Sequence, residues 1–572
     1  MVGGERLDGV LRVRPRLRDH RGLLLACIGS AAFETILVWI TAPSASLGLA
    51  TQVSAPPPFD VFHDLRWLVV YHESWLGFAF ELLAFVAFRS LMTTCIVRAA
   101  WPADVEREPF AATVRRSVVF TVVAGLLLAP WAGLLFALAV VSLSWLFFVA
   151  VPVTLFIALL VHGGAVTGGW WARTLPLRSM GLVLLAFATL TVFGSLLAMC
   201  PAVLRLPVAV LAGLANAWLW LRLVDVVLHR PVAVRFVPVA PVGIVVVLAM
   251  LVGGTTIAFA IAKSPVGRYI SPTAALPTQW APVGVAGAAP LLVVTGFNTQ
   301  WNGRPAQFVH LAVAQRRFSY RGMANGKPLS YTRDDTHASL RDLARELGRQ
   351  VDAYHAETGR PITIVAESEG SLLAKTYLAA TPGAPVRNLV ILSPLVSPGR
   401  VYYPVAGTQG WGEFGALEMS GLAWALGGVS PVSVTPDTPF LRSIVDQAPA
   451  FRGLMACSLP HVRQVAVIPL DTGVSAPAPA SVGIPFTVVP GFHGGMLGND
   501  KTAEVVQRVI SGRPIEKENG WSFAEDVIQA GATAWQVPQL TTSINAAWSH
   551  QPDPSDCAAV RAHLAAWVGS GS

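Results

Sequence analysis

Charge is what this chain has least of. Asp, Glu, Lys and Arg make up 13% of its 572 residues, where about 25% is usual for a soluble globular protein. Cysteine is also sparse: five residues are too few for a disulfide-built scaffold and lack the paired spacing of a zinc site. There is no glycine loop of the phosphate-cradling kind, no cluster of metal ligands and no dinucleotide fingerprint, so neither cofactor nor metal is expected. What dominates instead is apolar: 53% of residues are hydrophobic and the mean hydropathy is +0.55. Nearly all of that excess precedes Lys263. The chain therefore divides into a membrane domain (1–263), a Pro- and Gly-rich linker (264–289) and a domain of ordinary globular composition (290–572).

The net charge of +8 does not point to nucleic acid. Residues 1–263 hold 19 of the 41 basic and 12 of the 33 acidic residues, which leaves 22 and 21 beyond them. The basic surplus thus lies between hydrophobic runs, and the second half shows no basic stripe with interleaved aromatics. Six arginines, from Arg6 to Arg21, precede an apolar run over Leu23–Thr41, the pattern of a retained signal anchor rather than a cleaved leader. Further spans are expected at Trp75–Val97, Val118–Ala139, Ser142–Val161, Met180–Cys200, Val208–Leu228 and Val242–Ile261. The run from Val118 to Val161 is about twice the roughly 20 residues a bilayer needs, so it should break at a tight turn near Ser142–Trp145.

Seven spans make an all-α transmembrane bundle whose orientation follows from charge. With a cytoplasmic N-terminus, Arg98, Arg107, Arg115 and Arg116, then Arg173 and Arg178, then Arg230 and Arg235, all fall inside. The odd count places residues after Lys263 outside a multi-pass plasma-membrane protein. Glu34, Glu81 and Arg89 fall within spans, where charge is costly. They read either as an ion or lipid-headgroup path, or as internal pairing: Glu81 with Arg89 two turns on, and Glu34 as a link between helices.

In the second half, strand-like runs at Leu291–Thr295, Arg317–Tyr320, Ile362–Ala366, Leu389–Leu392, Val465–Ile468 and Phe486–Val489 alternate with helical patterns. The clearest helix carries Leu340, Leu343, Leu347, Val351 and Tyr354. Such alternation predicts a mostly parallel sheet with helices on both faces. Between the third run and the helical SLLAKTYLAA stands Ala366-Glu367-Ser368-Glu369-Gly370, a serine flanked at two residues on either side by small ones. A serine at a sharp strand-to-helix turn needs such neighbours, because bulk there would strike adjacent elements.

This motif resembles the nucleophile elbow of the α/β-hydrolase superfamily, with Ala366 where the commoner pattern has glycine. The resemblance covers about Pro290 to Gly512. It implies an α/β-hydrolase domain in which Ser368 is the nucleophile, His493 the general base and acid, and Asp471 the group that orients the imidazole. Asp471 and His493 each follow one of the last two strand-like runs, in the order that the family uses. Asp437 and Asp446 precede the strand and are the rival acids; Asp500 is read as the cap of the helix that follows His493. The oxyanion hole implied is the backbone N–H of Glu369 with that of Phe297, Asn298 being the lesser candidate.

The segment of about 395–460, with Tyr402, Tyr403, Trp411, Phe414, Leu417 and Trp424 among glycines, is expected to be either a lid over the site or a helical layer on the sheet. Cys457 and Cys557 either pair or stay as buried thiols. The resemblance implies a membrane-anchored serine esterase or lipase acting on a lipid or cell-envelope ester, with membrane lipids as surroundings and no nucleic-acid partner. Two alternatives stay open: an acyltransferase using the same residues, and a non-catalytic binding or transport protein with a hydrolase-like domain.

Overall fold

The computed structural model describes residues 20–41, 44–142, 144–167, 177–229, 283–284, 289–303, 311–427, 435–475, 483–491, 493–515 and 520–570. The span expected at Val242–Ile261 and most of the linker lie outside the described residues. The N-terminal half forms α1 (Arg21–Thr41), α2 (Phe59–Leu68), α3 (Trp75–Ala99), α4 (Phe110–Val141), α5 (Ser144–Val161), α6 (Leu177–Met199) and α7 (Ala202–Leu228). Five of these, α1, α3, α4, α6 and α7, are long and apolar enough to cross a membrane, and α5 is a shorter apolar helix. Ser142 takes a left-handed conformation (φ 54°) and ends α4, so the long apolar run does break there. The last carbonyls of α4 would lack intrahelical donors. Those of Ala139 and Val140 accept the N–H groups of Arg400 and Gly399 at 2.9 and 2.8 Å, so the tip of the α4–α5 hairpin is built into the second domain.

The connection between α1 and α3 is no simple surface loop. A 3-10 turn at Ser44–Gln52 and α2 are buried almost throughout, and their polar groups correct the expected pairing inside the spans. Arg89 bonds Asp64 through Nε and Nη2 at 2.7 and 2.6 Å and also faces Asp60 at 3.5 Å; its partner is α2, not Glu81. Glu34 does link helices, accepting from His63 Nε2 at 2.7 Å. The physical reason is burial. Arg89 is almost wholly enclosed, and an enclosed guanidinium requires carboxylates enclosed with it, whereas Glu81 stays partly exposed.

The second domain is a six-stranded, wholly parallel sheet: β1 (Leu291–Val294), β2 (Gln315–Arg317), β3 (Ile362–Glu367), β4 (Val386–Leu392), β5 (Arg463–Pro469) and β6 (Phe486–Val489), ordered β6-β5-β4-β3-β1-β2. The edge strand β2 starts two residues before the expected Arg317. The central strands are buried along their length, as continuous Val and Ile runs between two helical layers require. The helices are α8 (Leu340–Thr358), α9 (Glu369–Ala380), α10 (Glu413–Gly427), α11 (Pro439–Asp446), α12 (Ala448–Ala456), α13 (Asp500–Ile510), α14 (Gly520–Thr533) and α15 (Cys557–Gly569). Asn499, not Asp500, caps α13, accepting from the N–H groups of Lys501 and Thr502.

Cys457, just past α12, is bonded to Cys557 at the start of α15, with the Cα atoms 5.6 Å apart. Lys375 lies buried beside that link and donates to the carbonyls of Met455 and Cys457 at 3.2 and 2.8 Å. The remaining tail ties the halves together. Arg66 of α2 donates to Gln52 and to the carbonyls of Ala534 and Gln536, and Trp535 Nε1 donates to Thr191 of α6 at 2.8 Å.

Candidate active site

The strand order changes direction around β1: β2 lies on one side of it and β3 on the other. Crevices at the carboxyl ends of strands at such a switch point are where open parallel sheets bind ligands. The loop after β1 and the turn after β3 meet there.

Ser368 joins β3 to α9 in a conformation of φ 56° and ψ −119°. That region is strained for any residue with a Cβ, and the turn is held by Ser368 N–H donating to Leu392 O at 2.9 Å. Its neighbours must be small for measurable reasons. A Cβ on Gly370 would come 2.7 Å from Thr295 O, and one on Gly296 would come 2.9 Å from Ser368 Cβ. The Ser368 hydroxyl therefore stands on a rigid, crowded pedestal and stays partly exposed.

Ser368 Oγ and His493 Nε2 are 2.8 Å apart. His493 follows β6, and Asp471 follows β5, so both reach the same sheet edge. Asp471, buried, accepts the His493 backbone N–H on both carboxylate oxygens at 3.2 Å. Among the described residues His493 Nδ1 has no hydrogen-bond partner, and the Asp471 carboxylate holds the chain of His493 through its N–H. Burial lowers the imidazole to about 4. It raises the Asp471 carboxyl to about 6, against the opposing pull of the His493 N–H and of the Ser144 hydroxyl. Ser144 is the first residue of α5, so the membrane hairpin touches the acid itself, though without full hydrogen-bond geometry. Asp437 and Asp446 are elsewhere, both paired with Arg442.

On the opposite side, Glu369 opens α9, where a first-turn N–H has no intrahelical acceptor. Asn298 N–H is already committed to Thr336 Oγ1 at 2.9 Å, and its side chain accepts from His337 Nε2 at 2.7 Å. The Phe297 ring is sandwiched between His337 and Phe440, with centroids 4.6 and 4.9 Å away. That clamp fixes the loop bearing the Phe297 N–H.

Several supporting residues had no signal strong enough to single them out in sequence. Glu367 is buried, its Oε1 accepts Met496 N–H at 2.6 Å, and burial lifts its carboxyl to about 7 against the pull of the Met496 and Leu497 N–H groups. It thereby anchors the loop that carries His493. Tyr320 donates to Thr295 O at 2.5 Å beneath the β1 loop, and Arg317 donates to Tyr331. The Glu369 carboxyl is fully buried beside Tyr320, and that burial pushes it well above the usual carboxylate range.

Within the segment 395–460, α11 and α12 pack into the core of the sheet domain, as a helical layer would. Its longest helix, α10, departs from both expectations and packs on α3 and α4 of the N-terminal half. Among the described residues no group of three or more His, Cys, Asp or Glu side chains could hold a metal ion. Chemically, a hydroxyl bonded to a neutral imidazole at the start of a helix is a pair able to transfer a proton. Comparison with protein-family profiles, with curated proteins and with solved structures finds no match to this chain.

Proposed function

We propose that the chain is a membrane-anchored serine hydrolase of the α/β-hydrolase kind that cleaves carboxylic esters through an acyl-enzyme. The observation that carries the reading is the 2.8 Å contact between Ser368 Oγ and His493 Nε2 at a strained strand-to-helix turn. In the reaction, Ser368 Oγ attacks the ester carbonyl as its proton passes to His493 Nε2. The tetrahedral oxyanion faces the N–H groups of Phe297 and Glu369. Collapse expels the alcohol, which takes the proton from His493, and water then releases the acid by the same route. An imidazole near pKa 4 is a weak base. Catalysis therefore calls for the Asp471 carboxylate to accept the Nδ1–H, which raises the basicity of Nε2.

The decisive test is covalent labelling with a fluorophosphonate in membranes, comparing wild type with Ser368→Ala and His493→Ala. Labelling of the wild type alone is the expected result. Absence of labelling in folded, accessible wild type would support the second reading, a binding platform, which the same unpartnered Nδ1 favours. Product analysis with added acceptor alcohols separates hydrolysis from acyl transfer by the same residues. The orientation belongs to this proposal too. The second domain meets the end of α4, the later part of α6, the starts of α3 and α5 and the 3-10 turn that follows α1, opposite the arginine-rich ends of the helices. By the charge bias it lies outside the cytoplasm, and protection from protease added to inverted vesicles checks it.

A further inference from the structure

Helix α10 holds two carboxylates, Glu413 and Glu418, and no basic residue; the rest is apolar or small. Its first turn is tied to the start of α3. Phe414 N–H donates to His72 Nε2 at 2.8 Å, Gly412 N–H donates to His72 O at 3.0 Å, and the Phe414 ring stacks on Phe78 at 4.4 Å. From there its contacts retreat along α4. Gly412 and Gly415 make room for Phe136, and Glu418 lies over Gly133, where an added Cβ would be 2.7 Å from Glu418 Oε2. Rising numbers in α10 thus match falling numbers in α4. The helix descends beside the bundle, away from the sheet domain and toward the arginine-rich end of α4.

Trp424 lies six residues past Glu418, about 9 Å further along the helix at 1.5 Å per residue. Its side chain is 84% exposed and that of Leu417 is 55% exposed. Leu76, Phe80 and Leu83 of α3 and Leu126 of α4 are exposed as well, and they belong to helices long and apolar enough to cross a membrane. The outer face of α10 is therefore a continuation of the lipid-facing belt. The His72 bonds satisfy two N–H groups at its start, as a helix end entering hydrocarbon requires.

We propose that α10 is embedded in the bilayer leaflet beneath the sheet domain, with Leu417 and Trp424 against lipid acyl chains, and that the substrate is an acyl lipid resident in that bilayer. The substrate half rests on the hydrolase reading. It follows from α4, on which both α10 and α11 pack, since Phe440 of α11 stacks on Phe297 in the loop that meets Ser368. An acyl chain beside α10 is thus next to the segment that walls the site.

The test uses the full chain in nanodiscs of phosphatidylcholine and phosphatidylglycerol that contain a phosphatidylcholine with a diazirine in its acyl chain. Photo-adducts mapped by mass spectrometry are expected within 413–427; adducts confined to α1 and α3–α7 would overturn the embedding. A Leu417→Glu/Trp424→Glu variant is expected to lose those adducts and to hydrolyse a bilayer-borne long-chain ester at least tenfold more slowly. Its fluorophosphonate labelling and its turnover of a soluble short-chain ester should stay within twofold of wild type, which also shows that it folds. Equal loss on both esters, or on neither, would overturn the substrate assignment. If the wild type does not label at all, the hydrolase reading and the substrate class fall together, while the adduct map still decides the embedding.

Discussion

The carboxylate that precedes Ser368 offers the sharpest test of how this site is held. Glu367 is buried and accepts the N–H of Met496 at 2.6 Å, just past His493, and its carboxyl is raised from 4.5 to about 7. Because the folded value exceeds the unfolded one, the stability tied to the neutral form is complete below about pH 4.5 and is lost as pH rises through about 7. That loss is on the order of 3 kcal/mol, at about 1.4 kcal/mol per pH unit. Glu367→Gln removes the ionisation and keeps an acceptor. At pH 8 it should unfold at a higher temperature than wild type while labelling with fluorophosphonate no more than tenfold more slowly. Glu367→Ala instead strands the buried Met496 N–H, at about 1–3 kcal/mol. In global stability that nearly cancels the recovered ionisation cost, so the unfolding temperature is a poor readout for this variant. Labelling is the good one: a loop displaced by about 1 Å costs on the order of 100-fold. Wild-type labelling by Glu367→Ala, or an unchanged unfolding temperature for Glu367→Gln at pH 8, would refute the argument.

Three further outcomes are expected. On the proposed hydrolase reading Asp471 stabilises the imidazolium only when ionised, so the labelling rate should climb as pH rises through about 6. Asp471→Asn should lose that limb and label about 10⁴-fold more slowly; a limb that persists unchanged in the variant would assign it to another group. Gly370→Ala should destabilise the domain by about 1–3 kcal/mol and slow labelling at least tenfold, because its Cβ would press on the carbonyls of Val294 and Thr295 at 2.8 and 2.7 Å. Arg89→Met leaves Asp64 and Asp60 enclosed without their cation and should lower stability by about 3–5 kcal/mol. Thermal unfolding in detergent checks it, and a change under 1 kcal/mol would mean that water reaches the cluster.

The sequence by itself determined what depends on length, period and chain order. An apolar run twice the thickness of a bilayer had to break, and Ser142 breaks it. Buried Val and Ile runs alternating with helices had to make a parallel sheet, and a serine between small residues at the end of one run had to sit in a tight turn. Asp471 and His493 come to the edge that Ser368 occupies because parallel strands all end on the same side. What depends on which surfaces meet was decided only in the tertiary structure. Arg89 passed over Glu81, eight residues away on its own helix, for carboxylates on a short helix that reads in sequence as a loop. Glu367 found its partner 129 residues on, Ser144 at the start of α5 reached Asp471 of the distant sheet domain, and α10 packed on α3 and α4. Periodicity records which face of an element is buried, but not against what. That choice is made by packing between elements far apart in the chain, and buried polar groups, which must find a partner wherever one is enclosed with them, follow the packing.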